Sequence, residues 1–287
     1  MYLKDDRLVI TIENTVFTSH MTSNPQFNLD PIAIVGWDDG VGVKRSEVSR
    51  PNSWGDFAEK TLFGPRRVTL TGTAIARNSD ELHGMRDTFT GLLNTGTYKE
   101  ISLQNSRDKR FLKVSLEDSP SWVQKLDNVA VWKLDLYAPD PRLYGEVNRV
   151  QITPEEPFGG LDVSDSVPIA YPLDFGFVEE AIVIKNNGNT DSWPIFEVVG
   201  NYDQGFTITD GRNRSVIYNG VVTLEAPVRI DMAAGTATQN GIDKTMNVSR
   251  RDWFPIAKNT SMVPTFQPKN TAVGSGWCDI IYRDAWI

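Results

Sequence analysis

The run Val68-Thr69-Leu70-Thr71-Gly72-Thr73-Ala74-Ile75-Ala76 decides the fold class, because apolar residues alternate in it with threonine and glycine. A period of two places the apolar side chains on one face of a β-strand and the polar ones on the other. The same pattern occurs in residues 111–117 and 128–137, and residues 8–12 and 32–35 are further predicted strands. The first half of the chain is therefore predicted to be mainly β.

One segment of the first half has a helical period instead. Apolar residues recur every three or four positions from Leu82 to Leu93, which gives a helix a single apolar stripe. Asn78 or Ser79 can cap its amino terminus, and residues 94–96 supply the stop. We predict one helix that packs against a sheet.

The second half consists of short β-type runs that are separated by Asn-Gly and Asp-Gly turns, with almost no helical period. This pattern predicts an antiparallel β-sandwich of the jelly-roll or galectin-like type, after a β-sandwich or split-barrel-like first domain with one α-helix. We expect a first domain at residues 1–150, a Pro- and Gly-rich linker at 151–170 and a second domain at 171–287. The predicted strands of the second half are residues 181–184, 195–199, 206–208, 221–224, 228–231 and 277–282.

The charge of the chain is uneven. Its 287 residues have a formal net charge of −8. Residues 1–150 contain 19 basic and 20 acidic residues, whereas residues 151–287 contain 10 and 17. An acidic chain is poorly suited to binding nucleic acid through phosphate contacts or to binding anionic membranes. No run of about 18 apolar residues is present, so no membrane span is predicted.

The sequence contains no constellation typical of a catalytic or metal site. His20 and His83 are its two histidines, and Cys278 is its one cysteine, predicted to be buried and inert. The acidic pairs at residues 155–156 and 179–180 are interpreted as solvated charge, because glycoside hydrolysis needs two carboxyls across a cleft. We therefore expect no enzyme activity, no cofactor and no metal ion.

Residues 36–66 are weakly patterned but rich in aromatic residues: Trp37, Trp54, Phe57 and Phe63. Long irregular segments are uncommon in compact domains and are usually functional. Exposing several aromatic side chains to water is unfavourable, so these four are expected to pack either on their own domain or on a neighbouring chain.

Five short sequence motifs, in order along the chain, resemble those of the distal tail protein family of long-tailed, non-contractile bacteriophages, also described as siphovirus tail components. The first is a strand that opens with basic residues, Gly64-Pro65-Arg66-Arg67-Val68-Thr69-Leu70-Thr71-Gly72. The tightest is Leu134-Asp135-Leu136-Tyr137-Ala138-Pro139-Asp140-Pro141-Arg142-Leu143-Tyr144-Gly145. The other three are residues 186–200, 252–256 and 282–286.

The resemblance implies a structural role. Six copies would form a ring at the far end of the tail tube, with the first domain in the ring and the second projecting outward. The implied partners are further copies of the chain, the tail tube protein, the tape-measure protein and the tail-tip hub or receptor-binding proteins. DNA would pass through the ring without specific binding, and the protein, made in the host cytoplasm, would be located in the virion tail tip. The predicted interface residues are Trp37, Trp54, Phe57, Phe63, Arg66 and Arg67.

Two other functions stay open at this point. In one, the second domain is a carbohydrate-binding adhesin that contacts a host-surface glycan through Trp193, Tyr202 or Tyr218. In the other, the chain is a cell-wall hydrolase, which would need a carboxylate pair in a cleft.

Overall fold

The computed structural model describes residues 8–19, 26–45, 47–57, 61–154, 181–269 and 276–287. The chain divides into two compact units: residues 1–146 with 285–287 form unit 1, and Val147–Asp284 form unit 2. No helix within these described ranges is long and apolar enough to cross a bilayer.

Unit 1 is a closed β-barrel with added strands. Seven strands are hydrogen-bonded in the order β8-β7-β1-β2-β3-β6-β10, and a pairing between β8 and β10 closes the barrel. β9 extends the sheet beside β10, and β11 and β24 extend it beside β8. The strands are β1 (Val9–Ile12), β2 (Thr15–Thr18), β3 (Gln26–Val35), β4 (Val43–Lys44), β5 (Leu62–Phe63), β6 (Arg66–Ile75), β7 (Lys99–Gln104), β8 (Lys109–Leu116), β9 (Ser121–Leu126), β10 (Val129–Ala138), β11 (Leu143–Tyr144) and β24 (Ala285–Trp286).

The alternating residues 68–75 lie in β6, which pairs with β10 along its full length, from Arg66 opposite Ala138 to Ile75 opposite Val129. One alternating set of apolar residues in each strand is buried in the barrel: Val68, Leu70 and Ala74 in β6, and Ala130, Trp132, Leu134, Leu136 and Ala138 in β10. Gly72 lies opposite Trp132. A methyl group at Gly72 would collide with the Trp132 ring and a backbone oxygen of β3, so this position has room only for glycine.

The helix α1 spans Ser79–Thr90 and begins as predicted. Asn78 is its N-cap, and the Asn78 side-chain oxygen accepts the N–H of Glu81 at 2.9 Å. Leu82, Met85 and Phe89 are buried on one face. The helix ends at Thr90, before the predicted stop at 94–96: the Leu92 N–H donates to the Phe89 carbonyl three residues back, and Leu93 has a φ of 56°, which a helix cannot contain.

Unit 2 is an antiparallel sandwich. A six-stranded sheet has the order β12-β23-β14-β17-β18-β19, a four-stranded sheet has the order β20-β16-β15-β22, and β13 pairs with β21. Buried side chains from both larger sheets form one core. The strands are β12 (Asn148–Ile152), β13 (Ile184–Asn186), β14 (Ile195–Val199), β15 (Phe206–Thr209), β16 (Ser215–Tyr218), β17 (Val228–Asp231), β18 (Thr236–Gln239), β19 (Ile242–Asp243), β20 (Val248–Arg251), β21 (Thr260–Met262), β22 (Thr265–Pro268) and β23 (Trp277–Tyr282), with a 3-10 turn at Thr245–Asn247.

The predicted fold class is confirmed: the chain is mainly β, with a barrel-like first unit that carries one helix and a sandwich as the second unit. Residues 221–224 are not a strand, because they form isolated bridges only. Residues 155–170 of the predicted linker lie outside the described residues. Its first two residues belong to β12, which pairs with β23 within unit 2.

Candidate subunit interface

Strands β4 and β5 pair as a hairpin, and the described residues between positions 43 and 63 expose apolar side chains; we call these described residues the 43–63 hairpin. At its base, Val43 pairs with Phe63 and Lys44 with Leu62. Nearer the tip, Ser49 pairs with Asp56 in an isolated bridge. Ser46 and residues 58–60 lie outside the described residues.

The 43–63 hairpin exposes several large apolar side chains. Trp54, at the tip, is 97% exposed, and Phe57 and Phe63 are 53% and 51% exposed. The guanidinium of Arg50 lies 5.5 Å from the centre of the Phe57 ring. Val43, Val48 and Leu62 are also exposed. An accumulation of apolar surface on one projecting segment indicates a protein contact.

The Arg66 side chain holds residues 36–39, which precede the 43–63 hairpin, against the barrel. Its Nη1 donates to the carbonyl oxygens of Gly36, Trp37 and Asp39 at 2.8, 2.7 and 3.0 Å, and its Nε donates to that of Pro141 at 2.8 Å. Burial lowers the pKa of Arg66, and the charges of two nearby aspartates oppose that shift. The residue is 3% exposed, so its donors serve the fold.

Two of the six predicted interface residues are therefore corrected. Trp37 is 1% exposed and belongs to the core of unit 1, and Arg66 is buried under the carbonyls that it holds. Neither presents a surface to a neighbouring chain. Of the alternatives for the aromatic residues, Trp37 packs on its own unit, whereas Trp54, Phe57 and Phe63 remain exposed.

Arg67 is on the surface, but its charge is already paired. Its side chain is 63% exposed and forms an ion pair with Glu117, which raises the pKa of Arg67. Its guanidinium lies 5.9 Å from the centre of the Tyr137 ring. Lys133 and Asp135 form a second ion pair at 2.7 Å on the same outer face of the sheet. In this part of the barrel surface, cations are matched by anions.

The aromatic residues predicted to contact a glycan lie mostly inside unit 2. Tyr202 and Tyr218 are 0% exposed. The Tyr218 ring stacks on Phe206 with centroids 5.3 Å apart, and Tyr202 packs beneath Gly200 and Gly276. Trp193 is half-buried against the same core. The prediction for the two tyrosines was wrong, because both side chains point into the sandwich.

The described residues contain no group of three or more His, Cys, Asp or Glu side chains that could hold a metal ion. His83 is exposed on α1, and His20 lies outside the described ranges. Cys278 is fully buried, and burial raises its thiol pKa well above the ordinary value. The acidic pairs at 155–156 and 179–180 also fall outside the described ranges.

Sequence reasoning missed the apolar residues of the hairpin arms, Val43, Val48 and Leu62. Each lies beside a polar or charged neighbour, so no strand or helix period marks them. The usable signal was the aromatic content of an unpatterned segment, which identified the region without separating buried from exposed rings.

Comparisons with known proteins agree with this architecture. Residues 25–136 match the family model of the phage tail protein RIFT-related domain. No curated protein matches the chain. The solved structure of the Dit protein of phage SPP1, described as a paradigm of the hub adsorption apparatus in phages that infect Gram-positive hosts, superposes with a TM-score of 0.60. Its sequence identity is 10%, over 98% of this chain and 99% of that one.

Chains of the phage P2 baseplate in its activated conformation, in structures with Ca and with Sr, match with TM-scores of 0.49 and 0.48. Each has 8% identity and covers 97% of this chain and 98% of that chain. The family-model match at residues 25–136 and the match to the SPP1 Dit structure together confirm the resemblance to siphovirus distal tail proteins.

Proposed function

We propose that this protein is a structural component of a phage tail tip, and that six copies form a ring which connects the tail tube to the tail-tip hub. The observation that carries the proposal is a phage tail domain within a chain that follows the SPP1 Dit fold over nearly its whole length. Unit 1 contains that domain, and in the proposal it builds the ring while unit 2 projects from it.

The 43–63 hairpin is the proposed contact with the next copy. A ring needs a heterologous interface, in which two different patches of the subunit meet. A projecting segment with a nearly bare Trp54 at its tip and exposed Phe57 and Phe63 supplies one such patch. Burying these rings against a neighbour removes the apolar surface that a monomer would leave in water. Arg67 belongs to the proposed interface as a polar rim residue.

The other proposed partners are the tail tube protein, the tape-measure protein and the hub or receptor-binding proteins. The proposed location of this protein is the virion tail tip. DNA passes through the ring in this proposal and is not specifically bound. The paired charges Arg67–Glu117 and Lys133–Asp135 support a barrel surface that would not retain phosphates. A structural rather than an enzymatic role follows from the same assignment. The adhesin alternative loses two of its three predicted contact residues, because Tyr202 and Tyr218 are buried; Trp193 is half-buried.

The test is the mass of the purified full-length chain, measured by native mass spectrometry, together with its position in intact particles by antibody labelling. We expect a ring-sized oligomer and labelling at the tail end. A chain that stays monomeric at high concentration and is missing from purified virions would refute the proposal.

A further inference from the structure

Three Asn-Gly dipeptides occur in the sequence, at residues 187–188, 219–220 and 240–241. The backbone nitrogen that follows an asparagine can attack the side-chain amide, and a following glycine hinders this attack least because it has no side chain. The surroundings of the three dipeptides differ, and we propose that Asn240 is the site of spontaneous deamidation in the folded protein.

The first dipeptide is held at both residues. The Asn187 side-chain nitrogen donates to Asp284 at 3.1 Å, and its backbone N–H donates to the same carboxylate at 2.8 Å. The Gly188 N–H, which contains the attacking nitrogen, donates to the side-chain oxygen of Asn186 at 2.9 Å. Gly188 is buried, so neither reacting group can reorient without breaking these bonds.

The second dipeptide is also restrained. The Asn219 side-chain oxygen accepts a hydrogen bond from Lys269, and its backbone N–H donates to the Asn247 carbonyl at 2.9 Å. Gly220 is half-buried beside the Tyr218 ring, close enough that a methyl group there would collide with it. The backbone therefore has little room to swing toward the amide.

The third dipeptide forms the exposed turn between β18 and β19. The last ladder pair is Gln239 opposite Ile242, so Asn240 and Gly241 lie outside the ladder. Their φ angles are 51° and 76°. Both residues are exposed, and no atom lies within 4 Å of the position that a side chain would take at Gly241. This turn can deform toward the cyclic geometry without displacing other parts of the unit.

The reaction needs water as its one co-reactant. The Gly241 nitrogen forms a bond to the Asn240 Cγ, the bond from Cγ to the side-chain nitrogen breaks, and that nitrogen leaves as ammonia with the proton from Gly241. Water then opens one of the two C–N bonds of the cyclic imide and leaves aspartate or isoaspartate. Either product places a new carboxylate near Asp243, and isoaspartate lengthens a two-residue turn by one backbone atom.

Peptide mapping of the full-length protein tests the proposal. The folded chain is kept in mildly alkaline buffer, sampled over days and digested with trypsin. Cleavage after Lys185, Arg214, Arg229 and Lys244 puts the three dipeptides in different peptides. A parallel sample is kept unfolded in urea. We expect Asn240 to convert severalfold faster than Asn187 and Asn219 in the folded sample, and the three rates to converge in urea.

The Asn240→Gly variant is the control, since glycine has no side-chain amide to react and adopts the φ of 51° at this position without strain. It should lose the modified species from the residue 230–244 peptide and leave the other two peptides unchanged. Equal rates in the folded sample would overturn the proposal. So would an unmodified Asn240 over a period in which the unfolded chain reacts.

Discussion

Replacing Trp54 and Phe57 together by alanine should weaken assembly while leaving the isolated subunit folded. Trp54 is 97% exposed and Phe57 is 53% exposed, so neither ring contributes much to the core of unit 1. Substitutions at such exposed positions usually change the free energy of unfolding by no more than about 0.5 kcal/mol. Loss of the contact between Arg50 and the Phe57 ring adds about 0.5–1 kcal/mol.

The expected effect on the subunit contact is much larger. A tryptophan that goes from nearly full exposure to burial removes about 150–250 Å² from water, which at about 25 cal/mol per Å² is about 4–6 kcal/mol before costs. Ordering of side chains and loops reduces this gain. Truncation of aromatic residues at the centre of an interface typically costs about 2–4 kcal/mol. We expect about 3 kcal/mol per contact, which weakens each contact about 100-fold.

Sedimentation velocity over a dilution series measures the effect, and urea unfolding of the dilute monomer measures its stability. The matched control is Tyr98→Ala, which removes an exposed aromatic residue of unit 1 outside the hairpin and should leave assembly unchanged. Assembly of the double variant at the same concentration as the unmodified protein would refute the reasoning. A large loss of monomer stability would also count against it, because the rings would then pack on their own unit.

Three further predictions concern the units themselves, each measured by urea unfolding. Gly72→Ala should destabilise the protein by about 3 kcal/mol, because the added methyl group would overpack the space beside Trp132. The control Gly84→Ala, in open space on α1, should stabilise the protein by about 0.5–1 kcal/mol. Equal effects of the two substitutions would show that Gly72 is not tightly packed. Arg66→Met should cost at least about 2 kcal/mol and speed amide exchange at residues 36–39, because it removes donors from four carbonyls; unchanged exchange would show that these bonds do not hold the segment. Burial raises the pKa of Asp210, but hydrogen bonds from the Arg214 side chain and three backbone N–H groups outweigh burial and lower that pKa. Asp210→Asn should therefore reduce the free energy of unfolding by about 2 kcal/mol at neutral pH, and this stability difference should shrink as the pH falls below about 3.9 and through the lower pKa of the folded state. A stability difference that does not change with pH would contradict this.

The parts of the fold that sequence predicts are those in which local pattern and tertiary structure agree. β6 and β10 alternate strictly, and each buries one face of that alternation in the barrel. Asn78 caps α1 through a hydrogen bond within four residues, which is a local interaction that sequence can show. Closure of the barrel depends on a pairing between β8 and β10, which β9 separates in sequence, and the alternation within each strand does not show which strands will pair.

The candidate interface was only partly predictable, for a related reason. Trp37 and Trp54 lie in the same unpatterned segment, yet one is buried and the other exposed. The difference comes from Arg66, which reaches back to hold the backbone around Trp37 against the barrel. In unit 2, the polar hydroxyl of Tyr218 is compatible with a surface position, but β16 turns this side chain inward over Phe206. Burial of these rings is decided by neighbours that are remote in sequence.

The strand β24 has a consequence for biosynthesis. Trp286 pairs with Leu143 in β11 and lies 4.5 Å from the guanidinium of Arg110, although all of Val147–Asp284 separates it in sequence from the rest of its unit. The ribosome therefore synthesises all of unit 2 before it synthesises β24, which belongs to the sheet of unit 1. Until then, β11 has no partner strand on the edge that β24 later occupies. Translation products that stop short of residue 285 would keep that edge open, which makes them the forms most prone to pair with other nascent chains.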